Sequence, residues 1–320
     1  MKDNGMNFIS FMMCSTAEND PHHDGYAWPV TNPRLRCYMD TNCTNADGNT
    51  EFLSEIIEEA AELGFHVNLF QNAFSWGNRV KIGYPALSKT YRDFHHCVDN
   101  PAAWEIACAE VADLFSYYSR SAINSYGFEM VGRWGCKCPD TMRRFNDALS
   151  SGQLEKYAES DGEDGLFSNW ERWDAKQMLK QYVSAIRHMA SSVDIWHHGY
   201  RELGDLPGNR FSPGSYRESG VDVAMPCIHS ITGEDDLRAV INSAEDFPLV
   251  LHVDTRDTPT MNYDIPLKTP ATIRNMGKWI VKHHRECLRG VVFFNEPPTS
   301  RPNRNAVYEV LRDWQKAGLV

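Results

Sequence analysis

The stretch Pro248-Leu-Val-Leu-His252-Val253-Asp254, the helical pattern opened by Pro270, and Gly290-Val-Val-Phe-Phe-Asn295-Glu296 together decide the fold class. Two short apolar runs without clean alternation read as strands buried on both faces, and a longer amphipathic segment lies between them. Strand, helix and strand in that order form a parallel unit with a right-handed crossover. The same beat runs outward through the chain. Strands are expected at 8–14, 66–70, 128–131, 194–198, 221–228, 249–254 and 290–295, with an eighth at 35–39. Helices are expected at 51–63, 102–121, 170–191, 234–244, 270–287 and 305–316. Pro101 after Asn100 and Pro270 after Thr269 suit first helical positions, and Gly64 after Leu63 suits a helix stop. No Gly-rich phosphate loop follows a strand, so an open doubly wound sheet is the weaker alternative. The expected fold class is α/β: one (β/α)8 TIM barrel over 1–320, with long loop insertions near 15–49, 74–100 and 152–168.

Composition narrows the function classes. The chain has 320 residues, 42% hydrophobic and 23% charged, which is the balance of a protein with a sizeable core rather than a disordered one. With 32 Lys+Arg against 43 Asp+Glu the net charge is −11, which argues against a nucleic-acid or anionic-membrane surface. No apolar run reaches the length of a membrane span, and residues 1–10 carry no signal-peptide pattern. A cytoplasmic protein is expected, or a secreted or periplasmic one if a signal peptide has been removed; a homo-oligomer is left open. The nine Cys cannot all pair within one chain, so reduced thiols are expected.

In a barrel, chemistry lies at the C-terminal strand ends. Glu296, after Asn295, follows the last apolar run; a carboxylate there is costly in a core but well placed in a pocket mouth. His252 and Asp254 are two apart on one strand and face the same way. Trp196, His198, Arg201 and Glu202 crowd another strand end, and His229 a third. Glu129 lies within 128–131 and Arg133 just after it. Trp28, Trp76, Trp134 and Trp196 are candidate platforms for sugar faces. Arg133, Arg201 and Arg256 could make that face locally positive. His198, His229, His252, Asp254 and Glu296 could also hold one metal ion, although no compact metal motif such as His-Glu-x-x-His occurs. Cys136-Lys-Cys138 lacks a second Cys pair, and no Walker, Gly-x-Ser-x-Gly or Gly-x-Gly-x-x-Gly motif is present.

Asp99-Asn-Pro101, the helix ending at Tyr117-Tyr118, Tyr126-Gly-Phe128, Cys136-Lys-Cys138-Pro139 and Arg144-Phe145 together resemble a pattern in glycoside-hydrolase-like TIM barrels. In those proteins an aspartate ends the strand where this sequence has Val131, so the nucleophile implied by the pattern is missing. Asn295-Glu296 is similar in placement to a catalytic carboxylate of retaining TIM-barrel glycosidases. Those enzymes carry a second Asn-Glu pair, which this chain lacks; Glu129, Glu202 and Asp254 remain as partners.

The leading expectation is a glycoside hydrolase acting on an oligo- or polysaccharide. Glu296 would serve as nucleophile or base with Asp254, Glu129 or Glu202 as the second carboxyl group. His252, His198, His229, Arg201, Arg133, Asn295, Trp134, Trp196 and Trp76 would bind substrate. No cofactor is required; a divalent metal is the runner-up, in a sugar isomerase, lyase or hydrolase. A carbohydrate-binding barrel without turnover is the third reading.

Overall fold

The structure is a computed structural model. It describes all residues except 1–4, 17–23, 39–42, 44–47, 75–95, 119–121, 130–132, 134, 153–161, 201–210, 258–265, 295–298 and 320. The strands are β1 (Phe8–Met12), β2 (Cys14–Thr16), β3 (Asp24–Tyr26), β4 (His66–Asn72), β5 (Ser125–Glu129), β6 (Asp194–Tyr200), β7 (Val223–Cys227), β8 (Leu249–Asp254) and β9 (Leu288–Phe294). The helices are α1 (Pro33–Tyr38), α2 (Phe52–Glu62), α3 (Pro101–Tyr117), α4 (Pro139–Ser150), α5 (Gly162–Met189), α6 (Pro213–Ser219), α7 (Glu234–Ser243), α8 (Pro270–Lys282) and α9 (Arg301–Lys316). Seven strands form one sheet in the order β1-β4-β5-β6-β7-β8-β9, while β2 and β3 pair antiparallel in a small second sheet. The pairs β4–β5, β6–β7, β7–β8 and β8–β9 are parallel. Helices alternate with these strands, as expected for the (β/α)8 class. Among the described residues, no helix is long and apolar enough to cross a membrane.

Six of the seven long strands fall where the apolar runs predict them; β5 begins at Ser125, three residues before the expected 128–131. The eighth expected strand does not form: 33–38 is helical. Asn32 precedes Pro33 and its Oδ1 accepts from the Arg34 N–H at 3.0 Å, so a cap and a proline start a helix in a segment whose apolar residues resembled a strand. Helix α5 begins at Gly162, so the last part of the expected 152–168 loop is helical. Helices α4 and α6 were not expected, although each begins with a proline. Side-chain caps fix other starts: Asn100 accepts from Ala102, Ser212 from Ser215, Thr269 from Thr272 and Ser300 from Asn303.

The chain divides into two compact units, one of residues 1–9, 63–66 and 194–320, the other of 10–62 and 67–193. In the first, Trp196, Val223, Met225 and Val250 form an apolar layer with Phe8 and Val292, and the Trp196 ring stacks on Phe8 at 5.1 Å. Helices α8 and α9 meet at Gly277, where a Cβ would come within 2.7 Å of the Val310 methyls; only glycine permits that approach. In the second unit, Phe145, Ala148, Phe167 and Trp170 make a core between α4 and α5.

Candidate functional site

In the first unit, strand alternation and the apolar layer set the polar groups. Trp196 and His198 share one face of β6, Met225 and Cys227 one face of β7, and Val250, His252 and Asp254 one face of β8. The lower members are in the apolar layer, so the next members toward the C-terminal ends are His198, Cys227, His252 and Asp254. Register pairs Cys227 with His252. The His252 ring lies 5.2 Å from that of His198 and 4.9 Å from that of His229, and Cys227 Sγ is 3.3 Å from His252 Nδ1. One donor atom each from His198, Cys227 and His252 lies within 4.8 Å of the others.

Desolvation dominates the electrostatics. Burial, then the neighbouring imidazoles, hold His198 well below the usual histidine range, and burial followed by His229 does the same to His252. His229 falls to about 4, chiefly through burial. His197, on the other face of β6, meets the Tyr216 hydroxyl at 2.9 Å and is pushed down to about 3 by burial. All four imidazoles are therefore neutral at pH 7.

Asp254 is not an open carboxylate. Its Oδ1 accepts from the Arg256 backbone N–H at 3.0 Å and from Nε at 2.9 Å, while Oδ2 accepts from Nη2 at 2.9 Å. Both residues are buried. Lys268, also buried, donates from Nζ to the His229 carbonyl at 2.5 Å.

In the second unit, the end of β5 carries Glu129, in register with Asn72 of β4. Solvent still reaches Glu129, yet the surrounding protein desolvates its carboxyl and pushes it up to about 7. On the helix side, Glu110 of α3 is fully enclosed: it accepts from the Tyr26 hydroxyl at 3.0 Å and from Gln71 Nε2 at 2.6 Å, while Gln71 Oε1 accepts from the Tyr126 hydroxyl at 3.0 Å. Burial pushes Glu110 up to about 8, against these two hydrogen bonds.

Three expected ligand-binding residues prove to be packing elements. Trp196 is 6% exposed in the apolar layer, one level below His198, so alternation gave its face but not its depth. Trp28 is fully buried and donates its indole N–H to Asp113 at 2.8 Å, which also accepts from the backbone N–H groups of Thr31 and Asn32. Arg133 is fully buried over the Trp170 ring and paired with Asp99, at 2.5 Å, and with Asp174, which Arg144 also contacts at 2.8 Å. The expected positive face therefore loses two contributors: Arg133 and Arg256 are neutralised by their own aspartates. Glu296, Asn295, Glu202, Arg201, Trp134 and Trp76 lie outside the described residues.

Sequence reasoning missed several groups. Glu110 had one signal, a lone carboxylate inside the apolar helical run Ala107-Cys-Ala-Glu-Val-Ala. Cys227 lies one strand away from His252, and only register reveals the pairing. Cys97 joins Cys136 and Cys138, their sulfurs all within 4.8 Å, to make a three-thiol cluster that the Cys136-Lys-Cys138 spacing alone did not suggest.

No known family model matches this chain, and no curated protein matches it. Solved structures do. The glycoside hydrolase domain of PgaB (BpsB) from Bordetella bronchiseptica is similar with a TM-score of 0.63 at 11% identity, over 97% of this chain and 90% of that one. A β-galactosidase from the haloarchaeon Halorubrum lacusprofundi gives 0.62 at 12% identity, over 98% of this chain and 55% of that one. An endo-1,4-β-mannanase from Eisenia fetida gives 0.51 at 12%, over 98% and 81%. The chain thus spans about half the length of the β-galactosidase. The fold is that of glycoside-hydrolase-like TIM barrels; at these identities the likeness shows the fold alone.

Proposed function

We propose that this chain is a glycoside hydrolase acting on an oligo- or polysaccharide, with Glu129 as general acid. The observation that carries the reading is the environment of Glu129: a partly exposed residue at a C-terminal strand end whose carboxyl is raised to about 7 by burial. At neutral pH a large fraction of such a group is protonated and can donate to a leaving-group oxygen. The strand-end position and the fold shared with glycoside hydrolases support the same reading. Glycosidic cleavage also needs a second carboxyl group. Asp254 is engaged by Arg256, so we assign that role to Glu296, with Glu202 as the alternative. The neutral imidazoles of His198, His229 and His252 suit hydrogen bonding to sugar hydroxyls.

The test is turnover of a panel of aryl glycosides and oligosaccharides. Glu129→Gln should lower turnover about 10²–10⁴-fold for oligosaccharides and much less for aryl glycosides whose leaving groups need no proton. Wild-type activity should decline as pH rises through about 7, where Glu129 loses its proton. Glu296→Gln should abolish turnover while leaving the unfolding transition intact. Oligosaccharide turnover in Glu129→Gln close to wild type would overturn the assignment of the acid. Near-wild-type turnover in Glu296→Gln would overturn the assignment of its partner, and glycan binding without any turnover in the wild type would favour a binding barrel.

A further inference from the structure

We propose that His198, Cys227 and His252 form a site for a divalent transition metal of the zinc class. The three residues come from consecutive parallel strands, β6, β7 and β8, and share the face that carries the apolar layer. Their donor atoms lie within 4.8 Å of one another. The distance from Cys227 Sγ to His252 Nδ1 is 3.3 Å. Tetrahedral zinc, with Zn–S near 2.3 Å and Zn–N near 2.0–2.1 Å, holds such atoms about 3.6 Å apart. A sulfur and a ring nitrogen therefore already stand close to the spacing that a shared ion demands, and a donor nitrogen of the second imidazole lies within 4.8 Å of both.

The donor chemistry selects the ion. Two imidazoles and a thiolate suit zinc or another late first-row metal, whereas magnesium and calcium require oxygen ligands. Burial keeps the imidazoles neutral, so their lone pairs are available without first losing a proton. Binding would take one proton from the Cys227 thiol and release it to solvent, leaving one formal positive charge on the ion and its three ligands. Three protein ligands leave a fourth position for a water molecule or a substrate oxygen, the pattern of zinc sites that do chemistry. The His229 ring lies 4.9 Å from that of His252, beside the site.

A second arrangement of the same atoms is a nucleophilic thiol activated by His252. The approach of His198 favours the metal, because a thiol–imidazole pair needs no second imidazole with a donor atom within 4.8 Å of both partners. This inference does not depend on the glycosidase reading, since it is tested by binding alone.

The experiment loads the purified full-length chain with Zn²⁺ or Co²⁺, removes excess ion, and measures metal content, the visible cobalt spectrum and the unfolding midpoint. The site predicts a thiolate-to-cobalt charge-transfer band and a midpoint raised by zinc and lowered again by a chelator. Cys227→Ser and His252→Asn should each remove about one bound metal per chain and abolish the zinc-dependent rise in midpoint. Their affinity should fall by more than the roughly 10–100-fold that loss of an outer-shell partner costs. Cys136→Ser, in the three-thiol cluster, should leave the His-containing site and its midpoint rise in place. Unfolding of metal-free Cys227→Ser, a near-isosteric change, shows whether that variant is folded, so its result stands even if His252→Asn does not fold. Unchanged metal content and spectrum in folded Cys227→Ser would overturn the proposal. So would a midpoint rise that disappears with Cys136→Ser, or a wild-type chain that retains no metal.

Discussion

On one face of β6, β7 and β8, His198, Cys227 and His252 bring imidazoles and a thiol together, with the Asp254–Arg256 pair beyond them, whereas beside α4 and α5, in the other unit, the buried polar groups are guanidiniums and carboxylates. His198 and His252 are enclosed as neutral imidazoles; burial first, and then the neighbouring imidazoles, hold both well below the usual histidine range. Arg133, Asp99 and Asp174 are enclosed as ions, each charge answered by an opposite one within hydrogen-bond distance. The cost of desolvation is the same in kind for both. The imidazoles avoid it by carrying no charge, and the ions of the other unit offset it by pairing. Neutral lone pairs can still be given to a ligand, while paired ions are already spent on each other. The first region is thus the better place to look for binding, and the second reads as scaffold.

The difference is sharpest when one member is removed. Arg133→Met leaves Asp99 and Asp174 facing, among the described residues, only Arg144, which is 37% exposed. Breaking a buried pair in this way costs about 3–5 kcal/mol. Cys227→Ser, without added metal, changes one neutral hydrogen-bonding group for another and should cost about 1 kcal/mol or less. Denaturant unfolding of both variants checks this, and comparable losses would erase the distinction.

Glu110 gives the pH form of the same comparison, because it is buried without an opposite charge among its described side-chain partners, Tyr26 and Gln71. Its folded pKa of about 8 lies above the ordinary value of 4.5, so the folded state holds a proton that the unfolded state gives up. The stability it contributes is fully present below about pH 4.5 and is lost as pH rises through 8. At about 1.4 kcal/mol per unit, the loss across that window is about 5 kcal/mol. Glu110→Gln should remove this slope: its amide oxygen can still accept from Gln71 and its NH2 can donate to the Tyr26 hydroxyl, with no proton to lose. A stability–pH curve that is unchanged in the variant would show that Glu110 is not the group responsible.

These contrasts mark how far the sequence could be read. The strands were legible because an apolar run rich in Val, Ile, Leu and Phe signals burial on both faces wherever it falls, as at Leu249–Asp254. The strand expected at 35–39 failed because Asn32 and Pro33 set the backbone before the side chains could decide. At the site, His252 and Asp254 were correctly put on one face by their spacing of two. That Asp254 would be occupied by Arg256 was legible as an alternative, since both lie on the same short segment. The links from Arg133 to Asp99 and Asp174 span 34 and 41 residues, and the contact between Cys227 and His252 rests on strand register. No local pattern encodes either.

The smallest expected effect comes from the same chemistry at the surface. Arg274 and Glu309 join α8 to α9 through a 2.5 Å contact, as short as that of Arg133 with Asp99, but their side chains are 43% and 41% exposed. Glu309 is held below the usual carboxylate range and Arg274 above its own, each first by the hydrogen bond to the other. Water already solvates both ions, so losing the partner strands no charge, and holding two long side chains in one geometry costs entropy that offsets the attraction. Arg274→Ala should therefore leave the unfolding midpoint within measurement error at moderate salt, with a small decrease emerging only at low ionic strength. A loss approaching that of Arg133→Met would mean that contact distance, rather than removal from water, governs what these pairs contribute.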